Sequence, residues 1–230
     1  MKRYIAASIL STLILTACGG GDNGEGSTGT FNYDGIYVHP TDLSLMIVDS
    51  HRPKTNLILG DFEIDQFALV DSSATTGNTM ITTGITLASF DGTDLTYDSS
   101  VKMKATFNNS SVTWVSPIDT SLTYTMYKTD DSLPLSEIVG THTNSIGHTW
   151  TINADGSFTV NGICTISGNI KRSNRYFMVT EAEATQCIDS ALNGTYDDGV
   201  LVTVPHNGQT YVAGIIQRKA SLLWESAPIN

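Results

Sequence analysis

The sequence predicts an all-β fold made of two small antiparallel meander or barrel-like units. Three observations support this fold class. Apolar and polar residues alternate in short segments, turn residues separate these segments about every 8–12 residues, and no long stretch keeps a helical period. The alternation is clearest over residues 101–107, Val-Lys-Met-Lys-Ala-Thr-Phe. Such a series is typical of barrels and sandwiches, and a single larger β-sandwich is the alternative architecture.

The predicted strands fall into two series, separated by Asp130, Asp131 and Pro134. The first series comprises Tyr33–His39, Leu43–Asp49, Asn56–Phe62, Phe67–Asp71, Met80–Ser89, Asp94–Asp98, Val101–Phe107, Val112–Val115 and Leu122–Lys128. The second comprises Thr149–Asn153, Phe158–Val160, Cys164–Ile170, Tyr176–Glu181, Val200–Val204, Thr210–Gln217 and Leu222–Glu225. Asp-Gly and Asn-Gly pairs between strands favour tight hairpins. Short helical turns are predicted at Ser136–Val139 and Ala184–Leu192. We therefore expect one β-rich unit over residues 31–132 and a second over 133–230.

The N-terminus has the features of an export signal. Lys2 and Arg3 precede an uncharged, mostly apolar stretch, Tyr4–Leu15, which is shorter than the ~20 residues that a membrane-spanning helix needs. The next residues, Leu15-Thr16-Ala17-Cys18, resemble the lipobox of bacterial lipoproteins. The resemblance implies a signal peptide over residues 1–17, cleavage before Cys18 and attachment of lipid to the Cys18 thiol. An ordinary secretory signal or an N-terminal anchor is the alternative.

Residues 18–30 are predicted to form a flexible, glycine-rich tether. From residue 19 to residue 30 the segment has six glycines and no apolar side chain, so it has nothing to bury against the entropy of ordering. Gly19 and Gly20 follow the cysteine, where lipoproteins of the inner membrane commonly carry aspartate. The resemblance therefore implies a lipid anchor in the outer membrane, on a face that the sequence does not specify.

A short pattern occurs three times. Gly35-Ile36-Tyr37, Gly140-Thr141-His142 and Gly194-Thr195-Tyr196 each place a glycine two residues before a ring. The pattern resembles the opening strand of lipocalin-like and other small barrels. It implies that each of the three segments begins a strand, and the repeat supports a division of the chain into units.

The other two cysteines, Cys164 and Cys187, are predicted to form a disulfide. With Cys18 lipidated they leave an even number of thiols in an exported chain, for which pairing is the default. The bridge closes a loop of 24 residues and contributes about 3 kcal/mol in the loop-entropy estimate. The alternative, reduced or metal-bound thiols, lacks a C-x-x-C spacing.

The sequence contains no motif of a common enzyme class. G-x-S-x-G, H-E-x-x-H and a Walker loop are all missing, so we predict neither an enzyme nor a cofactor. His142 and His148 flank a predicted hairpin and could share a Zn²⁺ or Cu²⁺ ion, although solvated loop histidines are the favoured interpretation. His39 and His51 are interpreted as loop residues without a chemical partner.

The net charge and the tryptophans narrow the function classes further. The formal net charge of −11 would repel nucleic acid.

The three tryptophans, Trp114, Trp150 and Trp224, lie in alternating segments and are expected to pack in cores.

Two function classes remain. The first is a lipid-anchored, non-catalytic module that binds a protein partner or a small ligand, an inhibitor or immunity protein included. The second is a structural, assembly or spacer lipoprotein. A ligand barrel requires an apolar cavity of ~300 Å³ or more with a few polar groups, a docking protein requires an exposed apolar patch, and a spacer requires neither.

Overall fold

The computed structural model describes residues 30–89, 94–115, 121, 123–219 and 221–229. The predicted signal peptide, Cys18 and residues 19–29 of the tether lie outside the described residues. Helix is confined to α1, Leu135–Ile138, and a 3₁₀ turn, Ser190–Leu192, within the described part. No helix in that part has the length and apolar character needed to cross a membrane.

The first eight strands close into an antiparallel barrel. They follow one another around the barrel in chain order. The barrel closes where β1 pairs with β8, with Tyr37 opposite Lys128 and Val38 opposite Tyr127. The strands are β1 (Gly35–Val38), β2 (Ser44–Val48), β3 (Leu57–Asp61), β4 (Gln66–Thr76), β5 (Thr79–Ser89), β6 (Asp94–Phe107), β7 (Ser111–Val115) and β8 (Thr123–Lys128).

The remaining strands form a nine-stranded antiparallel sheet. Its order is β17-β16-β15-β13-β12-β11-β10-β9, and β14 pairs with β13 beside this path. The Asn144 side chain, just after β9, donates hydrogen bonds to Oε1 of Glu225 (3.0 Å) and to the backbone oxygen of Ser226 on β17, so the two ends of the sheet meet. The strands are β9 (Gly140–Thr143), β10 (Thr149–Ile152), β11 (Ser157–Asn161), β12 (Thr165–Ser173), β13 (Tyr176–Thr185), β14 (Gly194–Tyr196), β15 (Asp198–His206), β16 (Gln209–Arg218) and β17 (Ser221–Pro228).

The predicted fold class is confirmed, and four details of the sequence-based assignment are wrong. The segments Asp94–Asp98 and Val101–Phe107 belong to one strand, β6. Its pairing with β5 is irregular between them, where residues 99–101 lie opposite the single residue Gly84 (φ 76°). The two predicted series omit the short strands β9 and β14, although the glycine-to-ring pattern indicates where each begins. The helical turn expected over Ala184–Leu192 is restricted to the 3₁₀ turn, because β13 continues to Thr185. The helix near Ser136–Val139 is confirmed, whereas the alternative of a single sandwich is not what the chain forms.

Three hydrophobic layers hold the molecule together. One lies inside the barrel, a second lies inside the curled sheet, and a third lies between the two. On β2 the side chains alternate between layers: Met46 and Val48 point into the barrel, whereas Leu45 and Ile47 point toward the second sheet. From the second sheet, Val200, Val202, Val204, Ala213, Ile215 and Leu222 complete the middle layer. Strands β2 and β3 and the first half of β4, residues 67–70, are therefore buried on both faces.

Polar contacts also cross this junction. Arg52 binds Asp198 in an ion pair of 2.5 Å, in which the two side chains are only 8% and 12% exposed. The Tyr176 hydroxyl donates to Asp49 Oδ2 at 2.7 Å. The pKa of Tyr176 is raised to about 12, mainly because the hydroxyl is buried and secondly because it donates this hydrogen bond to the Asp49 carboxylate.

The repeated glycine-to-ring pattern marks a recurrent local structure. Each glycine is the first residue of a strand, and Tyr37, His142 and Tyr196 are all at most 3% exposed. Each ring is hydrogen-bonded to the backbone oxygen four residues earlier: Tyr37 to Tyr33 (2.6 Å), His142 to Ile138 (2.9 Å) and Tyr196 to Leu192 (2.9 Å). The ring thus ties each strand to the segment that leads into it.

Candidate functional site: a cavity in the first barrel

A cavity of about 410 Å³ lies inside one end of the first barrel. Its wall is formed by side chains that point into the barrel from β3, β4, β5, β6 and β8: Leu59, Ala68, Ile85, Met103 and Met126. The volume falls within the range of ligand pockets. It also exceeds the ~300 Å³ that a ligand barrel requires by the same criterion.

The opposite end of the barrel is filled. Phe31 packs edge-on against Phe107, with ring centroids 5.3 Å apart, and Tyr33 stacks on Phe107 at 5.7 Å. Tyr37 adds a further edge contact with Phe107 at 5.7 Å. These four rings fill the interior at the end where the chain enters the barrel. At the other end aliphatic side chains and the small Ala68 line the cavity, together with the rings of Phe67, Trp114 and Tyr124. This distribution of side-chain volume leaves the cavity at one end only.

An aromatic pair completes the wall. Trp114 on β7 and Tyr124 on β8 are cross-strand neighbours, and their rings stack with centroids 4.5 Å apart and an interplanar angle of 19°. The Trp114 N–H is enclosed and has no acceptor among the described residues, which is uncommon in a self-contained core. Trp114 was expected to be a core residue, but it lies partly buried at the cavity.

Polar groups are gathered at the end of the cavity. Ser44 donates to Asp61 Oδ2 at 2.6 Å, and Asp61 Oδ1 accepts from the backbone N–H groups of Glu63 (3.0 Å) and Ile64 (3.2 Å). His39 is paired with Asp42 at 3.1 Å. Among the described residues, those lining the cavity include no lysine and no arginine. The site is therefore an apolar chamber with an acidic rim.

Sequence reasoning did not identify this cavity. The alternation in β6 and the other strands indicates which residues point inward, and Met103, Ala105 and Phe107 do so. It does not indicate whether the inward side chains fill the barrel, because that depends on the sum of volumes contributed by eight strands. The one feature of the sequence that could have indicated a cavity was the concentration of aromatic residues near residues 31–37.

The expectations for the other two tryptophans are met to different degrees. Trp150 is confirmed as a core residue, at 4% exposure. Trp224 is partly buried at the junction, where it packs on Phe67 with ring centroids 4.4 Å apart and donates to Asp65 at 2.7 Å.

The predicted disulfide is present. Cys164 and Cys187 are joined at an S–S distance of 2.02 Å. They flank the outermost pair of the β12–β13 hairpin, Thr165 opposite Thr185. The bridge therefore fixes the open end of that hairpin.

The two histidines considered as metal ligands have separate partners. His142 is 2% exposed, and its Nε2 lies 2.9 Å from the backbone oxygen of Ile138. His148 Nδ1 lies 2.5 Å from Glu225 Oε2 on β17. His142 is thus a strand-anchoring ring, and His148 helps to join the two ends of the second sheet.

The interpretation of His39 and His51 as residues without partners is wrong. His51 Nδ1 lies 3.0 Å from Asp34 Oδ2 and 3.7 Å from Asp49 Oδ1, and this trio is the one group in the described part of the chain that is dense enough for a metal ion. Both carboxylates already accept hydrogen bonds, Asp34 from Ser50 and Asp49 from Tyr176. Because Ser50 bonds to Asp34 rather than to the imidazole, the described residues here do not form a Ser-His-Asp relay.

Comparisons of the chain with protein-family models, curated proteins and solved structures found no match.

Proposed function

We propose that the chain is a lipid-anchored protein of the outer membrane that holds a small, largely apolar molecule in the cavity of its first barrel. The observation that carries the proposal is the cavity of about 410 Å³ with its apolar wall. A binding role suits this wall, because the inward side chains Leu59, Ile85 and Met103 offer burial and shape to an apolar molecule.

The position of the cavity supports the same role. Residues 31–37 close the barrel at the end where the chain enters it, so a tether over residues 18–30 joins the closed end. The cavity then lies at the end away from the attached lipid.

A fluorescence titration with N-phenyl-1-naphthylamine tests this proposal. The dye is neutral and apolar, and its emission rises on burial. We expect saturable binding to residues 19–230. Ala68→Phe should weaken binding at least tenfold, because the added ring occupies the cavity. Ala74→Phe is the matched control, since Ala74 is on the same strand and exposed. Equal binding by both variants, or no saturable binding by the parent protein, would refute the proposal.

Protein docking is a second candidate, favoured by a cluster of exposed isoleucines at hairpin tips. Ile64, Ile146, Ile163 and Ile188 are 36 to 87% exposed. The N–H of Ile188 donates to the backbone oxygen of Ile163 at 2.9 Å, and Ile146 and Ile163 line one shallow pocket beside Trp224. Hairpin tips are normally polar, so exposed isoleucines at several tips indicate a contact surface.

Glu63, Asp65 and Asp189 adjoin these isoleucines in the sequence, so the fitting partner is a protein with an apolar surface bordered by basic residues. A pull-down from envelope extract compares the parent protein with the double variant Ile146→Ser/Ile188→Ser. The matched control is Ile81→Ser, at a position that is 46% exposed on β5. A stoichiometric partner lost only from the double variant supports docking, whereas retention of that partner by the double variant contradicts it.

A further inference from the structure

We infer that the barrel cavity selects amphiphiles with a positively charged head group, a long-chain alkylammonium for example, over those with a carboxylate or another anionic head. This inference rests on the proposed function and names the chemical class of its ligand. It is carried by the separation of apolar and acidic side chains along the cavity.

The inner part of the cavity is suited to a hydrocarbon tail. Leu59, Ile85, Met103 and Met126 belong to the hydrophobic core of the barrel. Methionine side chains adapt to irregular apolar shapes, so a flexible chain can pack against them. A charged head group placed here would lose its hydration without an ion partner.

The acidic groups stand at the other end of the same wall. On β3, Asp61 is two residues beyond Leu59 and therefore faces the same side of the strand. Opposite it on β2 is Ser44, whose hydroxyl donates to the Asp61 carboxylate. Asp42 lines the cavity beyond this pair. A ligand whose tail reaches Leu59 and Met103 therefore has its head group beside Asp61.

The charges around this position favour a cation. The donors to Asp61 are a hydroxyl and two backbone N–H groups, which are neutral and leave the full negative charge of the carboxylate in place. His39 is the one basic side chain among the described residues that line the cavity, and it is paired with Asp42. Glu63 adds a further carboxylate, 3.4 Å from His206.

An ammonium group near Asp61 would thus gain Coulomb attraction, whereas a carboxylate head would meet two or three like charges. The attraction is screened by salt, because the rim is partly exposed.

Displacement of N-phenyl-1-naphthylamine by three ten-carbon compounds tests the inference. Decylamine, decanol and decanoate share the tail and differ in head-group charge at pH 7. Used below their critical micelle concentrations, decylamine should displace the dye at a concentration at least tenfold lower than decanoate, with decanol between them. The ratio should shrink in 0.5 M NaCl.

Charge-removing variants assign the effect to the rim. Asp61→Asn keeps an acceptor for Ser44 and should reduce the decylamine-to-decanoate ratio to threefold or less. Asp42→Asn serves as a second variant should Asp61→Asn fail to fold, and Asp155→Asn, on a turn of the second unit, is the matched control. Equal displacement by decylamine and decanoate, or an unchanged ratio in both rim variants, overturns the inference. If the dye binds but shows no such preference, the proposed function stands without it. Failure of dye binding refutes both.

Discussion

Removal of the Asp198 carboxylate tests whether the buried ion pair couples the two units. Arg52 follows β2 of the barrel, and its side chain is 8% exposed beside Asp198 at the start of β15. Asp198→Ala removes the one carboxylate that is ion-paired with this guanidinium among the described residues, and it leaves Arg52 beside the Met178 sulfur at 3.7 Å and the Tyr176 side chain. Loss of one partner from a buried pair costs about 3–5 kcal/mol. We expect the free energy of unfolding in urea to fall by that amount.

Two further variants separate this effect from the loss of any surface charge. The double variant Arg52→Met/Asp198→Ala should recover most of the loss, because the uncompensated charge is gone. Asp131→Ala breaks a second ion pair between the units, with Arg175, in which the side chains are 46% and 42% exposed. That change should cost at most about 1 kcal/mol. If Asp198→Ala and Asp131→Ala have equal effects, or if the double variant is no more stable than Asp198→Ala, the argument for a buried coupling is wrong.

The strand pattern was predictable because alternation and turn chemistry are local. An Asn-Gly or Asp-Gly pair between two alternating segments favours a hairpin without reference to the rest of the chain, as Asn207 and Gly208 do with positive φ between β15 and β16. The errors also have local causes. β14 has only three residues and one buried side chain, Tyr196. Its sequence therefore carries too little alternation to be identified as a strand.

Burial on both faces was not predictable in the same way. Leu57, Ile58 and Leu59 form an uninterrupted apolar run that fits a fully buried strand, and all three are buried. The run does not reveal what covers the second face. That cover is the second sheet, through residues such as Val202 and Ile215, which lie more than 140 positions later in the chain. Only the assembled topology shows that these distant residues share a layer with Ile58.

The candidate site was harder to predict than the fold, because neither the cavity nor its rim has a sequence motif. Asp61 is one of many aspartates in turns. Its carboxylate accepts hydrogen bonds from the turn that follows β3, as aspartate commonly does. Asp61 lies at a cavity because Leu59, two residues earlier on the same side of β3, faces an interior that is not filled. Larger side chains at positions such as Ala68 would reduce that space without changing the strand pattern.

Three further predictions follow from the structure. Reduction of the Cys164–Cys187 bridge, or the variant Cys164→Ala/Cys187→Ser, should lower the free energy of unfolding by about 3 kcal/mol through the released 24-residue loop; equal urea midpoints for oxidised and reduced protein would contradict this. The raised pKa of Tyr176, about 12 in the folded chain, means that only the unfolded chain loses this proton as the pH passes 10. Stability should therefore fall by about 2 kcal/mol between pH 10 and 12, and Tyr176→Phe should show a smaller fall. Finally, residues 31–132 produced alone should expose the outer faces of β2 to β4 that the second sheet covers. We expect this fragment to bind a hydrophobic dye such as anilinonaphthalene sulfonate more strongly than the full chain does and to associate in size-exclusion chromatography. A monodisperse fragment with the stability of the full chain would show that the middle layer does not couple the units.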